Sequence, residues 1–405
     1  MKLLAKSKPA FDKCVDAAYS PEKSIVLRYR NAFEFGTTAQ EDLEYKAWLE
    51  KTSIKEGARI FPLLRYRGVD ICILDETSLM FTGTLKSIDG CVSIAMCKLK
   101  GYDRVVFESG GNTGTALTEY GQRAGLETFF FCPEENLPIL NSKAFEAEQV
   151  HLISVERPGM VKEAARVFEE MNGLKHIPET EWRYNASVFR GFFVLEHMMG
   201  HGRFDWLVQT VSAAFGPIGI YRVLQEFPED IGELPRLLGV QQAVNCPLYK
   251  SWKAKKESLE PKEIASTRQL LTRVMYDVKP HTHGTYKDLR KVLAESKGDL
   301  TTIGHAEFSD FLEYEFEGKN VLDLLRNNGV EITLRDGDVL EKAGLIALAG
   351  SLKEIEKGRI KAGSRILCCL TGGMSHANGL SEPEFRVKDL DGAIEEYSRI
   401  VFGAK

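Results

Sequence analysis

The stretch VVFESGGNTGTALTEYGQRAGLETFFFC (105–132) decides the fold class. Its opening, VVFES (105–109), is a run of β-branched and aromatic residues. Its middle, GNTGTALTEYGQRAG (111–125), carries apolar residues at helical spacing, and its close, ETFFFC (127–132), reads as strand again. Strand, helix and strand joined by short glycine turns make a βαβ unit, whose two strands run parallel in one sheet. Further strands are predicted at VHLIS (150–154), WLVQTVS (206–212), RLLGVQQ (236–242) and RILCCL (365–370), with helical runs at 160–171 and 219–227. Alternation of this kind along the chain predicts an α/β protein with mostly parallel sheets flanked by helices.

The alternation restarts after GHGRF (200–204), which suggests two α/β domains. We expect residues 1–91 to contribute to a large domain, 92–200 to form a smaller one and 201–405 to complete the large one. The lysine-rich stretch 250–263 interrupts this last part and reads as a solvated excursion rather than a binding patch. With 405 residues, 43% of them hydrophobic, the chain can bury two cores, and a net charge of -5 asks for neither nucleic acid nor an anionic membrane. No stretch approaches the apolar length of a membrane span, and the start, MKLLAKSKPAFDKC, has no sustained apolar core. A cytoplasmic protein is expected. Eight scattered cysteines without a C-x-x-C pair predict reduced, buried thiols rather than a disulfide framework or a zinc site.

Four elements carry candidate chemistry. In FTGTLKSIDG (81–90), Lys86 follows a turn and precedes a helical run; an amine projected into a cleft and partly desolvated is a nucleophile toward an aldehyde, although most such lysines are solvated surface residues. In ESGGNTGTAL (108–117), Gly110 and its neighbours allow close approach to the backbone, free amides at the helix start favour an anion, and Ser109, Asn112 and Thr113 could hydrogen-bond a carboxylate or a ring oxygen. A tight strand–helix turn is the bland alternative, and the spacing does not fit the dinucleotide fingerprint. In VQTVSAAFGPIGI (208–220), small residues between strand and helix suit a phosphate held by main-chain amides at Ala213, Ala214, Phe215 and Gly216, with Pro217 unable to donate. The last, RILCCLTGGMSHANG (365–379), presents the Thr371 hydroxyl at a strand's carboxyl end.

Together and in this order, the four resemble the tryptophan-synthase-type (fold type II) pyridoxal-phosphate enzymes, which include threonine synthase, cysteine synthase, cysteate synthase and the serine/threonine dehydratases. The resemblance runs from roughly residue 60 to 380 and implies pyridoxal 5'-phosphate as cofactor, bound as a Schiff base to Lys86. It further implies that Asn112 bonds the ring hydroxyl, Ala213 to Gly216 the phosphate and Thr371 the pyridine nitrogen, while Ser109, Gly110 and Thr113 hold the substrate carboxylate. A neutral hydroxyl at the pyridine nitrogen makes a weaker electron sink than a carboxylate partner would, which favours expulsion of a leaving group.

The family's usual Ser-Phe-Lys-Asp-Arg-Gly is replaced here by Thr84-Leu85-Lys86-Ser87-Ile88-Asp89, while Ser212-Ala213-Ala214-Phe215-Gly216 is similar to the Ser-Gly-Asn-Phe-Gly of threonine synthases. The implied reaction is elimination or replacement at the β or γ carbon of an activated, phosphorylated amino acid, with cysteine or cysteate synthesis, dehydration, or a non-catalytic ligand-binding paralogue as alternatives. A small amino acid is the implied partner and a homodimer the implied assembly. Lys143, Arg190, Ser87 and Thr84 are conceivable contacts for a substrate phosphate. Glu341 is read as helix capping, His376 as a loop residue with a structural bond, and His281 and His283 as non-metal histidines.

Overall fold

A computed structural model describes residues 2–140, 143–260, 266–277, 279, 283–332, 334–335, 338–339, 342–372, 382–390 and 392–403. Two sheets organise it. The larger has six strands in the order Asp299–Ile303, Arg236–Gln242, Trp206–Thr210, Arg365–Leu370, Val69–Asp75 and Arg59–Tyr66. All neighbours are parallel except the last pair, an antiparallel hairpin. Arg67 and Gly68 connect that hairpin with φ of 47° and 79°, the left-handed pair that matches the twist of two-residue hairpins. The smaller sheet has five parallel strands in the order Phe385–Val387, Val150–Val155, Glu127–Pro133, Arg104–Glu108 and Lys175–His176.

The central strands of both sheets are buried on both faces, which is why they read as unbroken apolar runs rather than alternating ones. Phe107, Phe129, Phe130 and Phe131 are fully buried in the small sheet, as are Leu207, Val208, Leu367 and Cys368 in the large one. All eight cysteines are free thiols, seven of them buried. Among the described residues no helix is long and apolar enough to cross a membrane.

The sheets do not follow the expected boundaries. Helix Lys86–Leu99 runs across position 91, and helix Thr180–His201 packs chiefly on Phe215–Leu224 of the large domain. The segment 201–405 serves both sheets, because strand Phe385–Val387 pairs with Val150–Val155 and helix Ala393–Phe402 covers Phe129 and Phe168. Phe385 and Tyr397 bury apolar surface against the small sheet that solvent would otherwise reach. The hairpin 59–75 and strand 299–303 are large-sheet elements beyond those expected from the sequence. Within the lysine-rich stretch, Lys253 is paired to Asp299 at 2.7 Å and Lys256 to Glu260.

Candidate active site

Three neighbouring strands of the large sheet set the site. Trp206–Thr210, Arg365–Leu370 and Val69–Asp75 are adjacent and parallel, so the segments leaving their carboxyl ends emerge side by side. These are the loop 212–216, Thr371, and the turn that leads to Lys86. The turn is fastened to the middle strand, with Leu85 donating its amide to the Thr371 carbonyl at 3.1 Å and Thr84 bridging Gly372. Gly372, at φ 100°, lies so close to Thr84 that a side chain would overlap it. Opposite, strand Arg104–Glu108 of the small sheet delivers the turn 109–111 into helix Asn112–Arg123.

Between them lies a cavity of about 180 Å³. Lys86, Ser109, Gly110, Asn112, Thr113, Ala213, Ala214, Phe215, Gly216 and Thr371, the cofactor and substrate candidates of the four sequence elements, all line it. Its floor is an anion cradle by two tests. Among the described residues nothing accepts the main-chain amides of 212–216, nor those of 112–114 at the other helix start. Ala214 holds φ 63° and ψ 17°, a left-handed conformation that costs an alanine about 1–2 kcal/mol and turns successive amides to one side. Lys86 begins its helix and extends its amine to the buried Asp89 carboxylate, 2.6 Å away. The lysine, the bare amides and the Thr371 hydroxyl fit pyridoxal phosphate: an amine for its aldehyde, a cradle for its phosphate and a hydroxyl for its ring.

A second set of residues was not assigned to the site from the sequence, although His283 was singled out there as a non-metal histidine. Glu108, Lys162, Arg183, Tyr276, Asp277 and His283 also line the cavity. Lys162, at the start of helix Val161–Asn172, meets Asp277 at 3.0 Å and His283 at 3.3 Å. Burial works to raise the Asp277 carboxyl, but the His283 hydrogen bond and the Lys162 charge hold it well below the usual carboxylate range. Burial pushes His283 down despite Asp277, which keeps its ring neutral near pH 7. Glu108 is bonded to His176, whose other ring nitrogen lies 3.0 Å from Glu169. Burial opposes both charges of that pair, yet their mutual attraction leaves Glu108 lowered and His176 raised.

Arg183 lies over the Phe215 ring, its guanidinium 5.0 Å from the ring centroid, and forms no ion pair among the described residues. The only signal for these groups in the sequence is that Glu108 precedes the glycine turn and that Lys162 and Arg183 open helices.

Four conceivable contacts fall elsewhere. Arg190 is fully buried, Ser87 and Thr84 are tied up with Thr82, Lys143 is exposed, and none lines the cavity. Glu341, His281 and His376 lie outside the described residues, although Ala343, just after Glu341, lines the cavity.

Comparison with known proteins agrees with this geometry. A family described as pyridoxal-phosphate dependent enzyme matches residues 55–293. The chain belongs to that family. Cysteate synthase of Methanosarcina barkeri is 23% identical over 387 residues, covering 88% of this chain and 85% of the relative. Threonine synthase of Synechocystis is 23% identical over 317 residues, covering 76% and 71%. Among solved structures, a pyridoxal 5'-phosphate-dependent aspartate racemase superposes with TM-score 0.60 at 16% identity, covering 84% of this chain and 97% of that one. A threonine deaminase of Solanum lycopersicum gives 0.57 at 15%, covering 84% and 87%. These superpositions establish the fold type II architecture, and the family establishes pyridoxal phosphate as cofactor.

Proposed function

We propose that this enzyme catalyses elimination or replacement at the β or γ carbon of a small amino acid carrying an anionic leaving group, in the manner of threonine synthase. The observation that carries the reading is Arg183, a guanidinium lining the cavity that forms no ion pair among the described residues, with Lys162 on the same wall. An arginine not engaged in an ion pair among the described residues, in a partly closed, low-dielectric site, is suited to a phosphate or similar dianion, which it can bind in a bidentate fashion. The amides and hydroxyls of Ser109 to Thr113 are suited to the other end of such a substrate, its α-carboxylate. Relatives named cysteate synthase and threonine synthase favour the same class of reaction.

When bound, the cofactor supplies an electron sink for the α carbon. In this reading Lys86 would hold the cofactor, and its Nζ, once released by the incoming substrate amine, would take the proton from the substrate's α carbon, with Asp89 as the partner of the free amine. Asn112 would bond the ring hydroxyl, Thr371 the ring nitrogen, and the amides of Ala213 to Gly216 the cofactor phosphate. Arg183 orients the leaving group and neutralises the charge it gains. The segment carrying Tyr276 closes the cavity against Gly110 and keeps water from the reacting carbons. A cytoplasmic homodimer is proposed with it, on the family resemblance.

The test is the visible spectrum of the purified protein with O-phospho-L-homoserine and, separately, with O-phospho-L-serine, while released phosphate is measured. A band shift with phosphate release from the first is expected for a threonine synthase-like enzyme. Release from the second alone would move the substrate to the three-carbon acids, and release from neither would sink the anionic-leaving-group reading.

A further inference from the structure

Arg190 is among the most deeply buried residues of the molecule, with its side chain 0% exposed. It rises from helix Thr180–His201, which packs against the helix that follows the loop 212–216. Two of its three nitrogens are accounted for. Nε and Nη2 each donate to a different oxygen of the equally buried Glu76 at 2.5 Å, and Nη2 also donates to Gln209 Oε1 at 3.1 Å. Nη1 is buried and makes no hydrogen bond among the described residues, although the buried Cys369 thiol lies near enough to feel the guanidinium. A buried guanidinium N–H without an acceptor is costly and calls for an explanation.

The position of Nη1 supplies one. A methyl group built on Gly216 would lie 2.6 Å from it and would also strike the Gln209 amide. Gly216 is the second residue of helix Phe215–Leu224, and its own amide is among those left bare toward the cavity. The guanidinium therefore lies directly against the back of the cradle, with Glu76 held on its far side. The pair is neutral in sum but directional, its positive end toward the loop and its negative end away. It continues the helix dipole one layer deeper, in the buried interior where screening is weak.

We propose that Arg190 is a positioning residue for the cofactor phosphate, acting through the backbone of Gly216. It also explains why position 216 is glycine, since any side chain there would displace the guanidinium. A tie between helix 180–201 and the strand that ends at Asp75 would account for the bonds to Glu76. It leaves the contact of Nη1 with the loop at Gly216 without a reason.

The two roles separate when the same apoprotein is titrated with pyridoxal 5'-phosphate and with pyridoxal, which lacks the phosphate. The variant is Glu76→Gln with Arg190→Met, which removes both charges together and so avoids stranding one carboxylate in the interior. Its fold is checked by thermal melting. The ratio of the dissociation constant of pyridoxal to that of pyridoxal 5'-phosphate is expected to fall by about tenfold or more, with pyridoxal's own constant changed less than about twofold. A ratio equal to that of the parent protein, whether both affinities move or neither does, would overturn the proposal. Arg190→Lys keeps the charge beside Glu76 and is the more conservative variant should the double one not fold. It is expected to hold most of the phosphate preference, and a complete loss there would count against an electrostatic role. A parent protein without preference for the phosphorylated cofactor would remove the basis of this inference and of the cofactor assignment alike, whereas a discriminating parent and an equally discriminating variant would sink this inference alone.

Discussion

The two sides of the cavity are built differently. The side made by Lys86, the loop 212–216 and Thr371 comes from segments that leave three adjacent parallel strands, and much of it is main chain. The side made by Lys162, Arg183, Asp277 and His283 consists of ionisable side chains from two helices and a connecting segment, brought together from across more than a hundred positions. The first side is a local motif repeated at strand ends; the second exists only once the chain is folded. Chemistry shared across a family fits the first kind of construction and substrate choice the second, because side chains can change without disturbing the backbone cradle.

Substitutions on the two sides should therefore fail in different ways. The largest effect is expected for Lys86→Ala, which should lower turnover by about a thousandfold or more and abolish the cofactor's lysine-linked absorbance while the protein still melts cooperatively. Full activity in that variant would break the assignment of the cradle side altogether. On the other side, Arg183→Met is expected to raise KM for a phosphorylated substrate about 10- to 100-fold with a smaller change in kcat, the loss of a charge-assisted contact. Steady-state kinetics with phosphorylated and acetylated substrates in parallel would show it, and an equal loss on both would erase the contrast between the sides.

Smaller effects bear on how the sides are joined. A methyl on Gly110 would run into the Tyr276 ring, so Gly110→Ala should cost about 1–3 kcal/mol of stability, read by denaturant unfolding, as an overpacked contact does. The smallest concerns Glu108 and His176. His176 is raised above its ordinary 6.5, so its contribution is complete below that pH and fades as pH rises through the raised value. Glu108 is lowered from its ordinary 4.5, so its contribution is complete above that pH and is lost as pH falls through the lowered value. The stability gap between the parent and His176→Gln is thus expected to be widest from pH 4.5 to 6.5, at about 1 kcal/mol, and to close on the alkaline side. A gap that widens toward pH 9 would mean that the pair is not the source of the stability.

What could be read in the sequence depended on how local the physics was. VVFES, ETFFFC and RILCCL are strands because fully buried parallel strands need unbroken apolar runs, and their residue numbers came out within a position or two. Helix Phe215–Leu224 began several residues earlier than its apolar pattern, since Ala214 takes the left-handed conformation that glycine more often occupies. The hairpin 59–75 was legible in principle, as two apolar runs about Arg67-Gly68, but Pro62 and a register shift obscured the first of them.

The sequence alone determined the α/β class and the order of the four chemical segments, ten of whose residues are among those lining the cavity, because each segment follows a strand and its glycine, lysine or hydroxyl has a local reason to be there. Tertiary structure alone decided that the carboxyl-terminal strand returns to the small sheet, that Arg183 and Lys162 face the cavity while Arg190 turns beneath the loop, and that Glu76 balances Arg190. Those outcomes depend on which distant surfaces bury each other and on the low dielectric that burial creates. Neither quantity is encoded at any one position of the chain.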